Sequence, residues 1–340
     1  MITRRGPGAT LAWRKYGPRA RSDHAAVAGE REALRAGRHS PETLEVNSDA
    51  QVLLDAMDEI PVLPAVAARV LSFSDETVSL QEVSHVLSAD PVLTAALLKV
   101  ANSAYYGFSR RIATVREAVL LLGFKQVRQV ALGASMMNTF KKCKGPEDGF
   151  DLDLFWGHAM AVAVMAETAA RKFNAARPEE AFTAGVLHDI GALVVRRAVP
   201  QEFAAVVALA GRSGLSLWDA ELEALGFTHA QVGGVLADRW QLPARLVEAV
   251  ARHHEALIEP GADGLAGVVG FADRIADHHG VHCGYARPVG IVPMRELPME
   301  LATLELACGG MQSVLERSHA FIASVTGTPR RWFGLTELAA

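Results

Sequence analysis

Histidine and aspartate residues in the second half of the sequence are the side chains best suited to chemistry. The chain contains 12 histidines. Several of them fall in an ordered set with two aspartates: His158, His188-Asp189, His229, His253-His254 and Asp273. Imidazole and carboxylate groups contributed by several helices are typical ligands of a divalent transition metal in the core of a helical bundle. The ordered set therefore indicates a candidate metal site.

Each of these residues also has a purely structural interpretation. A single histidine on an alanine-rich helix, such as His158, is commonly a hydrogen-bonded core residue. The His188-Asp189 pair could end a helix, where a histidine interacts favourably with the helix dipole. Successive helix residues diverge by about 100°, so one member of His253-His254 is expected to be structural. Asp273 could pair with its neighbour Arg274.

The segments that carry this set have helical patterns. The string LDLFWGHAMAVAVMAETAARKF predicts a long helix around His158, and AFTAGVLHDIG predicts an apolar helix that ends near His188-Asp189. An adjacent His-Asp pair can present both side chains to one centre if the helix ends or bends there, and Gly191 would allow this. Further helical patterns cover residues 178–189, 200–211, 216–225, 229–240, 243–257, 264–279 and roughly 298–325.

Helix start signals recur in the first half. Asp90 followed by Pro91 combines an N-cap with a proline at the first helical position. Gly123 is expected to end a helix in the left-handed conformation. Two pairs match the capping-box pattern: Ser79 with Glu82 and Thr114 with Glu117. Because strand and hairpin patterns are not found, the sequence predicts an all-α fold, a compact bundle rather than a coiled coil.

Changes in composition predict the domain organisation. The polar stretch 141–151, KKCKGPEDGFD, indicates a boundary between two packed helical subdomains, 48–142 and 150–280. Residues 1–47 differ from the rest: the stretch 1–23 has Gly and Pro breaks and no sustained helical stripe, and residues up to Ser40 hold nine Lys and Arg against three Asp and Glu. We expect a basic disordered tail there, with a basic arm that contacts an anionic partner as the alternative. Residues 281–340 predict a loop followed by a C-terminal helical extension.

Charge, hydropathy and cysteine usage exclude several classes of protein. The net charge of −4 and the isoelectric point near 6.3 argue against nucleic-acid binding. No apolar run approaches the roughly 18–20 residues of a membrane helix, and the basic start lacks the apolar core of a signal peptide. The cysteines, Cys143, Cys283 and Cys308, form no CxxC pair, which fits a reducing compartment. A cytoplasmic protein is expected.

Several strings, in their order, resemble the HDOD domain, a bacterial output domain related to the HD superfamily of metal-dependent phosphohydrolases. They include IPVLPAVAARVLSFS, LSADPVLTAALLKVANSAYYG, AGVLHDIGALVV and LGFTHAQVGGVLADRWQLPARLVEAVARHHE. His158, His188-Asp189 and Asp273 also match the H…HD…D signature of that superfamily. The resemblance covers about residues 54–275, roughly two-thirds of the chain. It implies an all-α HDOD domain over 48–280 with an HD-like C-terminal subdomain, acting in bacterial signal transduction.

The resemblance also implies a division of the ligand set. His158, His188, Asp189 and Asp273 correspond to the four core metal positions, with His229, His253 and His254 as additional ligands. In a two-metal HD site the aspartate of the HD pair bridges the ions, and a bridging hydroxide attacks phosphorus. Iron, manganese and zinc are the expected metals, since imidazole and carboxylate ligands do not select sharply among them.

Two departures from catalytic relatives argue against efficient hydrolysis. Ala192 follows the HDIG string, where many catalytic relatives carry a lysine that can face a phosphate. The sequence after HHE reads ALIEPGADG and lacks the DGxGYP element of HD-GYP phosphodiesterases. Arg196 and Arg197 lie one to two turns beyond and are candidate phosphate contacts. His188 and Asp189 are the candidate catalytic residues if the protein is an enzyme.

The sequence supports two functional hypotheses. The first is a signal-transduction module that binds a partner protein or a nucleotide second messenger in the groove between the subdomains, and holds a divalent metal without efficient turnover. The second is a metal-dependent phosphohydrolase that acts on a nucleotide or cyclic dinucleotide. The partner, the input signal and the oligomeric state are left open.

Overall fold

The computed structural model describes residues 48–57, 61–73, 79–103, 106–141, 149–255, 264–284 and 307–326. These residues form helices, turns and loops and contain no strand, so the all-α prediction is confirmed for the described part of the chain. The predicted basic tail, most of the boundary stretch 141–151 and most of the loop after residue 284 lie outside the described residues.

The helices of the first half follow the local start signals. They are α1 (Ser48–Asp55), α2 (Ala65–Leu71), α3 (Leu80–Ser88), α4 (Pro91–Ala101), α5 (Val115–Leu122) and α6 (Phe124–Phe140). Asp90 caps α4 by accepting from two backbone N–H groups. Thr114 and Glu117 form the complete capping box of α5.

Two of the predicted helix signals take a different form. Ser79 accepts from the Glu82 backbone N–H, but the Glu82 carboxylate pairs with Arg69 of α2 rather than completing the box. Gly123 has φ +83° and ψ 160°, which is a positive φ but not the left-handed helical conformation. It joins α5 directly to α6, and only glycine adopts this conformation without strain.

The helices of the second half agree with the predicted segments except near residue 188, after residue 252 and at the start of the last helix. They are α7 (Leu152–Phe173), α8 (Pro178–Leu187), α9 (Ile190–Ala198), α10 (Pro200–Ser213), α11 (Leu217–Leu225), α12 (His229–Arg239), α13 (Ala244–Arg252), α14 (Leu265–His278) and α15 (Gly310–Thr326). The segment predicted as helix over 178–189 ends two residues early, and a new helix begins at once. The helix predicted over 243–257 ends at Arg252. The last helix was predicted from about residue 298 and begins at Gly310; residues 298–306 lie outside the described residues.

Helix α7 is central to the packing. It contacts α8, α14 and α15, and α15 also contacts α4 and α6 in the first half. A large cluster of buried apolar side chains extends from Ala50 to Ile322, so apolar packing is continuous between the two halves. No single helix among the described residues is long and apolar enough to cross a membrane; α3 and α4 pass that test only together, across a bend of 116°.

Glycines allow the helices of the second half to pack unusually closely. A Cβ atom added at Gly185 would lie 2.5 Å from the Cα of Ala163 on α7. A Cβ at Gly191 would overlap the carbonyl oxygen of His229, and one at Gly270 would overlap that of His253. Real Cβ atoms essentially never come this close to backbone. These three crossings surround the His/Asp set and bring its backbone segments together.

Candidate metal centre

The structure brings all seven candidate His and Asp residues to one buried centre. Helix α7 supplies His158, the α8–α9 junction supplies His188-Asp189, and α14 supplies Asp273. His229 begins α12, and His253-His254 follow α13. Their donor atoms form two groups, each with all atoms within 4.8 Å of one another: His158, His188 and Asp273, and Asp189, His229, His253 and His254.

Asp189 lies between the two groups. Its Oδ2 is 3.4 Å from Nε2 of His158 and 3.2 Å from Nε2 of His188. Its Oδ1 is 3.0 Å from Nε2 of His229 and 3.5 Å from Nε2 of His253. Each carboxylate oxygen therefore faces a different pair of imidazoles. A carboxylate in this position can bridge two cations.

Asp273 makes a second connection between the groups. Its Oδ1 is 3.1 Å from Nε2 of His158, and its Oδ2 is 3.5 Å from Nδ1 of His254. Both carboxylates are almost fully buried. The centre thus combines five imidazoles and two carboxylates in a small volume.

The break between α8 and α9 explains how neighbouring residues reach one centre. Helix α8 ends at Leu187, and Asp189 takes the N-cap position of α9 with φ −97° and ψ 5°. The expectation that the helix ends there is correct. Gly191, however, does not provide the bend through backbone flexibility. Its backbone conformation is ordinary, and a glycine is needed there because the chain passes very close to His229.

The structure places donor atoms of both His253 and His254 in one group, although one of the two was expected to be structural or to lie behind the ligands. Their rings lie 4.1 Å apart between centroids, and both offer donor atoms to the same group. The divergence of about 100° between neighbours applies inside a helix. Because α13 ends at Arg252, these two residues lie in the turn that follows.

Backbone carbonyls fix the orientation of three imidazoles. Nδ1 of each ring lies within hydrogen-bond distance of a backbone carbonyl oxygen. Nδ1 of His158 is 2.6 Å from the oxygen of Val281, Nδ1 of His188 is 2.7 Å from that of Gly185, and Nδ1 of His253 is 2.9 Å from that of Val250. Since a carbonyl oxygen only accepts, Nδ1 must carry the hydrogen and donate it. The Nε2 lone pairs therefore face the centre, as is usual for metal-bound histidines.

The arrangement of these lone pairs fits a cation. Nε2 of His158 and Nε2 of His188 are only 3.1 Å apart, and buried Nε2 of His253 makes no hydrogen bond. Bare lone pairs at this distance repel unless a proton or a cation lies between them. Two ligands of one metal with bonds of about 2.1 Å lie about 3.0–3.4 Å apart. The donor set fits a divalent transition metal, and its chemistry does not select iron, manganese or zinc.

Glu221 is a functional candidate that the sequence analysis missed. It is fully buried, and its Oε2 accepts from the backbone N–H of His229 (2.7 Å) and from Nδ1 (2.6 Å). A capping box of Thr228 with Gln231 fixes the start of α12 and with it the position of His229. The only sign of this role in the sequence is that Glu221 lies among apolar residues in LWDAELEAL, and this pattern does not indicate that Glu221 binds His229.

Replacing Glu221 by Gln is expected to weaken metal binding without unfolding the protein. The amide keeps the size of the side chain but removes the charge that orients His229 and raises its basicity, and such changes cost about 10–100-fold in metal affinity. Metal competition with a chromophoric chelator measures the affinity. Glu223→Gln, an exposed change on the same helix, is the control, and equal affinities in both variants would contradict a role for Glu221.

Buried carboxylates favour the protonated form of two imidazoles in the centre. Burial opposes protonation of His158, but hydrogen bonds to Asp189 and Asp273 outweigh it and raise the pKa of His158 well above its ordinary value. Burial is likewise outweighed at His229, where the charges of Glu221 and Asp189 raise the pKa to about 10. Burial would raise the pKa of Asp189, yet the surrounding imidazoles hold it well below its usual range. A cation bound here would replace these protons.

Burial favours the neutral form of two other histidines, His253 and His254, and of Cys283. Burial lowers the pKa of His253, and burial together with the charge of His253 lowers the pKa of His254 further. Burial also raises the pKa of the Cys283 thiol well above its usual value, and the negative charge of Asp189 adds to this effect. Cys283 therefore stays a protonated donor beside Asp189.

Solvent reaches the centre from one side only, as far as the described residues show. The side chains of His158, His188 and His253 are at most 1% exposed, whereas that of His254 is 24% exposed. Arg196, a candidate phosphate contact, is buried with its guanidinium 4.9 Å from the ring centroid of Phe150. Arg197 is exposed. The phosphate role of these two arginines stays a prediction.

Comparison with known proteins identifies the fold family. A crystal structure of an HDOD domain protein of unknown function from Geobacter sulfurreducens is 27% identical, covers 82% of this chain and 87% of its own, and superposes with a TM-score of 0.64. A candidate phosphohydrolase from Shewanella amazonensis is 28% identical over 82% of this chain and 98% of its own, with a TM-score of 0.58.

A curated relative from Treponema pallidum, an uncharacterized protein, is 24% identical over 226 residues. The chain spans 42% of the length of that relative. The model of the HDOD domain family matches residues 60–256, more than half of the chain. The resemblance drawn from the sequence is thereby confirmed, and the chain belongs to the HDOD domain family.

Proposed function

We propose that this protein is a signal-transduction module of the HDOD type whose buried His/Asp centre holds divalent metal without efficient turnover. The observation that carries the proposal is an ordered set of seven donors that is closed to solvent except beside His254. Such a centre suits metal retention, because backbone carbonyls and Glu221 position the imidazoles in advance. Bound metal would add directly to the stability of the folded state.

The chain's own residues favour binding over hydrolysis. Hydrolysis of a phosphate ester needs positive charge at the non-bridging oxygens as well as a metal-bound nucleophile. Ala192 is a fully buried apolar residue, and Arg196 packs on Phe150. The module would then act on a partner protein or a nucleotide through its surface, and the metal would stabilise the form that binds.

A metal-dependent phosphohydrolase is the second candidate, and one specific observation favours it. The two oxygens of Asp189 face separate imidazole pairs, as in centres where two metals activate a water molecule. The similar Shewanella amazonensis protein is described as a candidate phosphohydrolase. In this alternative, His254 would border the entrance for substrate.

Hydrolysis assays distinguish the two candidates. We expect metal-loaded protein to hydrolyse cyclic dinucleotides and bis(p-nitrophenyl) phosphate at no more than about a hundredth of the rate of an active HD phosphodiesterase, since one missing electrostatic contact costs roughly 10²–10³ in rate. Product is measured by chromatography and by absorbance. Robust metal-dependent hydrolysis that disappears in both His188→Ala and Asp189→Ala would replace the module proposal with the hydrolase.

A further inference from the structure

A second polar cavity lies in the first half of the chain, on elements that contribute no residue to the His/Asp centre. Its volume is about 500 Å³, and it is formed by the C-terminal end of α4 and the loop that leads to α5. This volume is in the range of small-molecule sites, about 300–1,000 Å³. The polar and aromatic residues that line it include Asn102, Ser103, Phe108, Ser109, Arg110 and Arg111.

The loop at this cavity is held in place by side chains. Asn102 donates to the carbonyl of Ile112 (2.8 Å) and accepts from its backbone N–H (2.8 Å). Arg110 pairs with Glu117 at 2.6 Å, and Glu117 also accepts from the backbone N–H groups of the capping box. Gly107 has φ +58°, a conformation in which glycine is favoured. Specific contacts therefore hold the described part of this loop, residues 106–112, in place before any ligand binds.

Hydrogen-bond donors are available along this loop. The backbone N–H groups of Phe108, Ser109, Arg110 and Arg111 donate no hydrogen bond to another described residue. Arg111 is exposed and forms no ion pair within the described part of the chain. Ser109 is exposed and adds a hydroxyl group to the lining. Arginine, hydroxyl and backbone N–H donors together are the usual ligands of phosphate oxygens.

The cavity also offers an aromatic surface. Phe108 lines it, and the Tyr106 ring stacks on Phe108 with centroids 6.1 Å apart and planes 7° apart. Both rings are partly buried against the hydrophobic core, so the part of Phe108 that lines the cavity is held in place. Stacking of a nucleobase on an aromatic ring contributes about 1–3 kcal/mol in nucleic-acid complexes. The backbone N–H groups of Asn102 and Ser103 donate to the carbonyls of Leu98 and Val100 at the end of α4, so the positive charge at the cavity comes from Arg110 and Arg111.

We propose that this cavity binds a nucleotide, with its phosphates held by Arg110, Arg111 and the loop N–H groups and its base stacked on Phe108. The site is separate from the His/Asp centre and goes beyond the proposed metal-holding function. It would give the module an input of its own, because ligand binding would fix the junction of α4 and α5.

Calorimetric titration of the full chain in EDTA tests this proposal with ADP, inorganic pyrophosphate and adenosine as probes. We expect ADP to bind more tightly than either of the other two, because it offers both phosphate and base. Arg111→Gln should weaken ADP binding by about tenfold or more, and Phe108→Leu should reduce the preference for ADP over pyrophosphate. Arg116→Gln removes the same charge from an exposed position, the second residue of α5, and should leave binding unchanged.

The controls separate this site from the metal centre. Asp189→Asn should bind ADP normally, whatever it does to metal. No ADP binding up to about 1 mM, equal affinity for ADP and pyrophosphate, or equal losses in Arg111→Gln and Arg116→Gln would overturn the proposal. Loss of ADP binding in Asp189→Asn with full binding in Arg111→Gln would also overturn it, because the nucleotide would then bind at the His/Asp centre.

Discussion

Asp189→Asn is expected to empty both halves of the His/Asp centre. The two Asp189 oxygens face different imidazole pairs at 3.0–3.5 Å, so one substitution weakens both groups of donors. Losing a residue that only orients a ligand costs about 10–100-fold in metal affinity, and losing a shared ligand should cost more than about 100-fold. Elemental analysis of protein loaded with manganese, iron or zinc and then desalted measures the retained metal.

A matched change and a fold measurement accompany this experiment. Asp238→Asn makes the same chemical change at an exposed position on α12 and should retain metal like the wild type. Circular dichroism establishes that both variants are helical. Full metal retention by Asp189→Asn would exclude Asp189 as a ligand. Metal content near zero in the supplemented wild type would reduce the seven residues to a polar network of the core.

Gly191→Ala is expected to cause a large loss of stability for a single added methyl group. The new Cβ would overlap the His229 carbonyl oxygen and lie 2.6 Å from the backbone nitrogen of Gly233. Backbone atoms cannot move aside as a flexible side chain can, so α9 and α12 would have to separate. Overpacking costs typically about 1–3 kcal/mol, and at the upper end the thermal midpoint should fall by about 6–12 °C.

Gly211→Ala is expected to have the opposite effect on stability. Gly211 lies inside α10 with no atom near an added Cβ, and alanine in a helix is more stable than glycine by roughly 0.5–1 kcal/mol. Its thermal midpoint should therefore rise slightly. Because Gly191→Ala also displaces His229 from Asp189, it should lower metal affinity as well. A thermal midpoint equal to the wild type in Gly191→Ala would show that the two helices do not approach as closely as described.

Local chemistry in the sequence predicts many of the helix boundaries. The capping residues Asp90 and Thr114 bind backbone N–H groups within three residues of themselves, so the whole interaction is visible in a short window. The bounds of α7 were also predicted from a local pattern, because the predicted string is the same as the observed helix, Leu152–Phe173. The partner of the Glu82 carboxylate was not predicted, because this carboxylate pairs with Arg69, which lies on another helix thirteen residues earlier.

The geometry of the centre depends on contacts that the sequence does not display. The His and Asp residues and the family resemblance predicted which residues are candidate ligands. They did not predict how these residues lie relative to one another. His253 and His254 meet because α13 ends at Arg252 without a glycine or proline to signal it. Gly191 suggested flexibility, whereas its lack of a side chain serves a close contact with another helix.

The long sequence interval across the centre has a consequence for protein synthesis. The donors are spread over about 115 residues from His158 to Asp273, and the carbonyl that orients His158 belongs to Val281, later still. A nascent chain emerges from its N-terminus at about 5–20 residues per second. While residues beyond 264 are still inside the ribosome, the exposed histidines have neither Asp273 nor the Val281 carbonyl. A metal could therefore occupy the group of His158, His188 and Asp273 only after α14 has emerged, whereas the donors of the other group, Asp189, His229, His253 and His254, all emerge earlier.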